Sequence, residues 1–229
     1  LMFIRCAIFS ACFLVLVGSK VNGSEKSEAK TGNTMAEMKI LTRECTVCHG
    51  VREAQRGPIL NGMDHWYLSD QIHKFRSGIR GARSSNKSEY LMGVGTRKVT
   101  TDLQVAFLSN WFANQEPTPA LRTIRGDVEL GRELYQRRCA SCHGVRGEGN
   151  RLLLSPSLNK LEGWYFLEQM RKFRSGERGY HLRDEGGKIM AAASKDFSDY
   201  DLKNIVAYSV EAFGLPEAQA VPDRTEREK

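Results

Sequence analysis

The sequence predicts an all-α protein built from two tandem copies of one domain. The first observation is an internal repeat, in which residues 45–50 recur as residues 139–144 and residues 66–81 recur as residues 164–179. The first pair is displaced by 94 positions and the second by 98, so the second copy is four residues longer between the two motifs. The second observation is helical periodicity: apolar residues follow i, i+3, i+4 spacing, and no segment alternates as a strand does.

This spacing predicts five helices. They cover residues 66–75, residues 101–112, a stretch through Tyr135 capped at Asp127, residues 164–173, and a closing stretch from Ser198 to Phe213. Asp201 follows Ser198 by three residues, which is the spacing of a capping box at the start of a helix.

The closing helices of the two copies differ in their apolar faces. In the second copy one face is apolar, and we expect the other side to present polar residues to solvent, namely Lys203, Asn204 and Glu211. In the first copy two sides are apolar, one with Leu103, Phe107 and Trp111 and the other with Val105, Leu108 and Phe112. A helix that is apolar on two sides is normally buried on two sides. The sequence therefore predicts that the second set lies in or near the contact between the copies.

The N-terminus has the pattern of a secretory signal peptide. Arg5 precedes an apolar run over residues 6–17, and small or polar residues follow as far as Gly23. The alternative is an uncleaved membrane anchor, although a span usually needs about 20 apolar residues. The predicted organisation is a signal at residues 1–23, a first domain at residues 24–116, a second at residues 117–214 and a loose tail at residues 215–229.

Composition and charge narrow the function classes. With 41% hydrophobic and 27% charged residues, the chain has an ordinary globular composition, which argues against disorder. The formal net charge of +7 falls to +5 once a signal that carries Arg5 and Lys20 is removed. Because an exported protein does not meet nucleic acid, the basic balance does not predict a nucleic-acid partner.

The cysteines carry the functional prediction. Removal of Cys6 and Cys12 with the signal leaves two C-x-x-C pairs, each followed by histidine: Cys45 and Cys48 before His49, and Cys139 and Cys142 before His143. A thioredoxin-like dithiol would need a βαβ context, and zinc would need four ligands held together. Covalent haem attachment fits better, since one helical turn separates the two cysteines and the next residue offers its imidazole to the iron.

At this point the sequence resembles the class I cytochromes c, in the tandem dihaem arrangement of the cytochrome c4 type. The resemblance rests on the two C-x-x-C-H motifs, Pro58 and Pro156, the repeated W-Y-x-x-x-Q-x-x-K-F-R-S-G block and one methionine after each block. It implies two class I domains, each wrapped around one covalently bound haem c.

The resemblance also implies a ligand set. His49 and Met92 would bind the first iron, and His143 and Met190 the second, with both methionines in glycine-containing loops. The Pro58 and Pro156 carbonyls would accept the other ring N–H of the two histidines.

Several alternatives remain open at the sites. Met63 is a rival ligand in the first copy, and His181 is a rival to Met190 in the second. The repeated arginines are expected to contact haem propionates, to form a docking rim, or to be solvated charges: Arg76, Arg80, Arg174 and Arg178.

The function predicted is electron transfer rather than catalysis. An exported dihaem c-type cytochrome would carry single electrons between a quinol-oxidising or dehydrogenase complex and a terminal oxidase or reductase. It would be periplasmic, with membrane association only through the N-terminal segment or a partner complex. The alternatives are a dihaem peroxidase and a fixed redox subunit of a larger membrane oxidoreductase.

Overall fold

The computed structural model describes residues 25–50, 57–118 and 122–214. By its internal contacts the chain divides into two units, residues 1–36 and residues 37–229, and both repeats lie in the second unit. Of the first unit, only the start of one helix is described. The predicted signal peptide with Cys6 and Cys12, residue Pro119 of the linker, and the predicted tail lie outside the described residues.

Helices account for the regular structure. They are α1 (Glu25–His49), α2 (His65–Arg76), α3 (Lys87–Gly95), α4 (Asp102–Ala113), α5 (Val128–Arg138), α6 (Ala140–His143), α7 (Gly163–Ser175), α8 (Glu185–Ser194) and α9 (Asp199–Phe213). Two short 3₁₀ turns cover Thr96–Lys98 and Arg151–Leu153. No described residue belongs to a strand, apart from an isolated bridge between Asn150 and Ser155, so the all-α prediction is confirmed. Among these helices, none combines the length and the apolar character that crossing a membrane requires.

The predicted helices and their caps are present. The Ser198 side chain accepts from the Asp201 N–H, and Asp201 accepts in return, which completes the capping box of α9. The equivalent helix α4 has the same device, with Thr101 and Gln104 as the reciprocal pair. Asp127 caps α5 through the Leu130 N–H.

Helices α3 and α8 correct the expectation that Met92 and Met190 lie in loops. Each helix is short and contains two glycines, so its apolar spacing is too brief to stand out in the sequence. The start of each helix is marked by a capping residue: the side-chain oxygens of Asn86 and Asp184 cap α3 and α8, respectively. Both methionines are therefore fixed by a helical backbone.

The crossing of α5 and α9 corrects a second expectation, that Asn204 faces solvent. Asn204 is fully buried, and its Oδ1 accepts from the Asp127 N–H at 2.8 Å. The two helices approach so closely at Gly131 that a Cβ there would lie 2.1 Å from the Asn204 carbonyl oxygen. A polar residue is buried here because a glycine opposite it lets the backbones meet.

The apolar face of α4 also differs from the expectation. Val105 and Leu108 are buried in the core of the first repeat with Leu41, so the prediction that they lie near the contact between repeats is wrong. Phe112 belongs to a cluster that reaches Leu161 of the second repeat, as expected for that position. Of the other set, Leu103 is exposed, whereas Phe107 and Trp111 are partly buried against these two clusters.

Candidate functional site

Each C-x-x-C-H motif occupies a helical turn. In the first repeat Cys45, Cys48 and His49 form the last turns of α1. In the second repeat α5 ends at Arg138, and the backbone restarts as α6, in which the Cys142 and His143 N–H groups donate to the Cys139 carbonyl oxygen at 3.1 and 2.9 Å. The turn brings both thiols and the imidazole to one end of the helix that precedes them.

The two motif histidines make the same hydrogen bond. His49 Nδ1 lies 2.7 Å from the Pro58 carbonyl oxygen, and His143 Nδ1 lies 2.9 Å from the Pro156 carbonyl oxygen. Because a carbonyl oxygen only accepts, Nδ1 carries the proton in both rings. Burial lowers the pKa of both imidazoles, against the opposing effect of these hydrogen bonds. Each ring is therefore neutral, with its Nε2 lone pair free to bind a metal.

The second repeat contains a cavity lined by the chemical groups that hold a haem c. Cys139, Cys142, His143, Pro156 and Met190 all line it. Apolar side chains complete the lining, among them Leu153, Leu154, Met170, Ile189 and Phe197. Two thiols, an imidazole and a thioether around one mainly apolar cavity are the groups that would hold a covalently attached haem. His181 is not among the lining residues.

The first repeat presents the equivalent groups on either side of residues 51–56, which lie outside the described ranges. Gly57 lies against the His49 ring, where a Cβ would be 2.5 Å from the ring carbon Cε1. Met92 is half-buried on α3. The rival Met63 is buried in a cluster with Leu68 and Phe112.

The thiols of the motifs are not joined in disulfides. Burial raises the pKa of the Cys45 thiol to about 11 and that of the Cys139 thiol to about 12. Both cysteine side chains are thus protonated at neutral pH, and neither is held as a thiolate.

The repeated arginines separate into two kinds. Arg76 Nη2 lies 2.5 Å from Asp102 Oδ1 at the start of α4. Arg174 donates to the Phe197 carbonyl oxygen at 3.0 Å and lies 3.5 Å from Asp199 at the start of α9. These two arginines connect equivalent helices within their own repeats.

Arg80 and Arg178 are instead buried between the repeats, with 4% and 6% of their surface exposed, so they do not form a docking rim. Arg80 donates to Glu89 at 2.7 Å and to Gln169 of the second repeat at 2.8 Å. Arg178 donates to Gln169 at 2.8 Å and to the Tyr67 hydroxyl of the first repeat at 3.1 Å. The Nε atom of each arginine is buried and has no hydrogen-bond partner within the described chain, which fits an acidic group such as a haem propionate.

Two acidic residues near the motifs were missed in the sequence. Asp64 and Glu162 occupy equivalent positions, 98 residues apart and two residues before the tryptophan of each repeated block. Glu162 Oε2 accepts from the Ile59 N–H of the first repeat at 3.1 Å, and Asp64 Oδ2 accepts from the Ser157 N–H of the second at 3.2 Å. The recurrence of an acid at one repeat position was the signal available in the sequence.

Known proteins share this fold and these motifs. The profile of the family described as Cytochrome c matches residues 128–210. Cytochrome c-554(547) of Halothiobacillus neapolitanus is 33% identical over 88 residues, which cover 36% of this chain and 93% of that protein.

Three solved structures have the same fold. Cytochrome c4 of Acidithiobacillus ferrooxidans matches with a TM-score of 0.58 and 19% identity, over 73% of this chain and 98% of its own. Reduced recombinant cytochrome c4 of Pseudomonas stutzeri matches with a TM-score of 0.59 and 23% identity, over 77% of this chain and 96% of its own. Thiosulfate dehydrogenase (TsdBA) of Marichromatium purpuratum matches with a TM-score of 0.59 and 22% identity, over 76% of this chain and 39% of that chain.

The motifs and the family together assign the cofactor. Cys45 and Cys48 attach one haem c, and Cys139 and Cys142 attach a second, each with one iron. The two repeats have the fold of the tandem class I domains seen in the two cytochrome c4 structures. The chain therefore belongs to the cytochrome c family.

Proposed function

We propose that this chain is a dihaem electron carrier in which His49 and Met92 bind the first iron, and His143 and Met190 bind the second. The observation that carries the proposal is a hydrogen bond shared by both histidines. Each donates its Nδ1 proton to a proline carbonyl oxygen, which leaves Nε2 as the metal-binding atom. The position of Met190 in the same cavity as His143 supports a thioether as the sixth ligand.

Haem c supplies a one-electron couple at its iron, and the chain's residues set what that couple can do. The four cysteines keep the group attached in a compartment where a free haem would be lost. A histidine and a methionine on each iron would leave no open position for oxygen or peroxide. Methionine ligation favours ferrous iron and raises the reduction potential. These roles suit reversible electron transfer.

Arg80 and Arg178 are proposed to face the haem propionates through their buried Nε atoms. Arg76 and Arg174 are proposed to hold the helices that carry the site, since each is engaged by an aspartate at a helix start. With four propionates, the formal charge of a mature chain would fall from +5 to about +1. Local patches rather than net charge would then steer partners.

Export and partners complete the proposal. The N-terminal pattern supports a periplasmic protein, with association to the membrane only through that segment or a partner complex. A quinol-oxidising or dehydrogenase complex would donate single electrons, and a terminal oxidase or reductase would accept them.

A fixed redox subunit is the second candidate. The observation in its favour is the likeness to a thiosulfate dehydrogenase, of which this chain matches 39%. The chemistry of each haem would be the same, but the partner would be permanent. Size-exclusion chromatography of the native protein separates the two: elution as a free chain supports a carrier, and co-elution with a larger oxidoreductase supports a subunit.

One set of measurements on the purified holoprotein tests the carrier proposal. The denatured protein should have the mass of the polypeptide plus two haems, and none of its four motif cysteines should react with an alkylating agent. Both ferric irons should be low-spin, with the weak far-red band of an iron–thioether bond, and the ferrous protein should not bind carbon monoxide. A haem that binds carbon monoxide readily in the unmutated protein would overturn the carrier proposal and favour a dihaem peroxidase.

A further inference from the structure

The peptide group between Pro58 and Ile59 is engaged at both ends. Its carbonyl oxygen accepts from His49 Nδ1 at 2.7 Å. Its N–H donates to Glu162 Oε2 at 3.1 Å, and Glu162 belongs to the second repeat. A carboxylate of one repeat is thus connected, through a single peptide group, to the motif histidine of the other.

The same arrangement exists in the opposite direction. The carbonyl oxygen of the Pro156–Ser157 peptide group accepts from His143 Nδ1 at 2.9 Å, and its N–H donates to Asp64 Oδ2 of the first repeat at 3.2 Å. Ile59 and Ser157 are 98 residues apart, as are Asp64 and Glu162. The two connections are therefore related by the internal repeat and run reciprocally across the contact between the repeats.

Each connection has a definite electronic direction. The N–H and C=O of a peptide are conjugated, so a strong acceptor at the N–H makes the carbonyl oxygen a better acceptor. A carboxylate is a strong acceptor. The strengthened carbonyl draws the Nδ1 proton of the histidine more firmly, and this raises the electron density at Nε2 of the same ring. A ligand richer in electrons stabilises ferric iron relative to ferrous iron.

We propose that the two repeats tune each other's haem through these hydrogen bonds, with Glu162 lowering the reduction potential of the first-repeat haem and Asp64 that of the second. The inference rests on the proposed binding of iron by His49 and His143. Both acids are positioning residues, because each acts on the iron only through a peptide group and a histidine. Correct contact between the repeats is then required for both haems to have their working potentials.

Burial makes the two connections unequal. Glu162 is 3% exposed and Ile59 is 5% exposed, whereas Asp64 and Ser157 are only half-buried. Water competes less for a buried hydrogen bond and screens it less. The effect of Glu162 on the first haem should exceed that of Asp64 on the second.

The test measures the potential of each haem in the holoprotein, by redox titration followed through the haem-methyl proton signals of each repeat. Glu162→Leu should shift the reduction equilibrium of the first-repeat haem towards ferrous iron by about tenfold, which is 59 mV for a one-electron couple. Glu162→Gln keeps a weaker acceptor and should give a smaller shift in the same direction. Asp64→Asn should shift the second-repeat haem and leave the first unchanged.

Glu168→Gln is the matched control. Glu168 lies on α7 and reaches Ser88 of the first repeat across the same contact, but it touches neither peptide group. It should leave both potentials unchanged. In the ferrous protein, the His49 Nδ1 proton signal should move in Glu162→Gln and stay in place in Glu168→Gln.

Three results would overturn the inference: no shift at the first haem in either Glu162 variant, an equal shift in Glu168→Gln, or an unmoved His49 Nδ1 proton. If the Glu162 variants do not take up haem, the unmutated ferrous protein supplies the test. A scalar coupling between the Ile59 amide nitrogen and the Glu162 carboxyl carbon is expected across their hydrogen bond, and its absence overturns the inference. An error in the proposed iron ligands can be told apart from these results, because the unmutated protein would then lack the far-red band of an iron–thioether bond.

Discussion

Gly131→Ala should destabilise the second repeat, although alanine is the better helix former. Gly131 lies on α5 where that helix crosses α9, and a Cβ there would be 2.1 Å from the carbonyl oxygen of Asn204 and 2.6 Å from its carbonyl carbon. Both are backbone atoms, so no side-chain rotation relieves the overlap. The two helices would have to move apart along the core that contains Tyr135 and Ile205.

The size of the effect follows from two opposing contributions. Alanine in a helix interior is favoured over glycine by about 1 kcal/mol. An added methyl group in a packed interior costs about 1–3 kcal/mol, and backbone overlap of this kind belongs at the upper end. The net loss in the free energy of unfolding should be about 2 kcal/mol, or roughly thirtyfold in the unfolding equilibrium.

Guanidinium denaturation of the holoprotein, followed by far-ultraviolet circular dichroism, measures this loss. Gly95→Ala is the matched control, because Gly95 ends α3 and a Cβ there has nothing within 4 Å. That variant should gain about 0.4–1 kcal/mol from the reduced freedom of the unfolded chain. If Gly131→Ala were stabilised as much as Gly95→Ala, the close approach of α5 and α9 would be refuted.

The remaining predictions concern the iron ligands and the buried charges. Met92→Ala should remove about half of the far-red charge-transfer band, and Met190→Ala the other half. Each variant should bind cyanide more tightly at one haem only, because the sixth position of that iron has been opened. If Met63→Ala, and not Met92→Ala, removes the band of the first haem, Met63 is the ligand of the first iron. Glu89→Gln should destabilise the holoprotein by about 3–5 kcal/mol, since it breaks the buried ion pair with Arg80. Glu129→Gln, in an exposed pair, should change little in the same denaturation assay. Burial acts to raise the pKa of Glu89, but Arg80 and other nearby cations outweigh it and hold that pKa below its ordinary 4.5. The stabilisation from this group should therefore be complete above pH 4.5 and be lost as the pH falls through the lower folded-state pKa, and denaturation of Glu89→Gln should lack this acid-dependent loss.

Much of the fold could be predicted from the sequence, because helix caps and apolar spacing are local features of the chain. The capping box at Ser198 and the apolar spacing of α9 predict that helix without reference to any other part of the chain. Helices α3 and α8 were not predicted, because nine or ten residues containing two glycines give too little periodicity. Asn204 was wrongly predicted to face solvent, because its burial depends on a glycine that lies opposite it on another helix.

By itself the sequence determined the tandem repeat and the covalent attachment of two haems. The spacing within C-x-x-C-H is a property of one helical turn, and it is complete within five residues of chain. Tertiary structure alone decided that Arg80 and Arg178 are buried between the repeats, and that Glu162 reaches the peptide group that holds His49. Those partners are about 100 residues apart, so only the packing of one repeat against the other brings their atoms within hydrogen-bond distance.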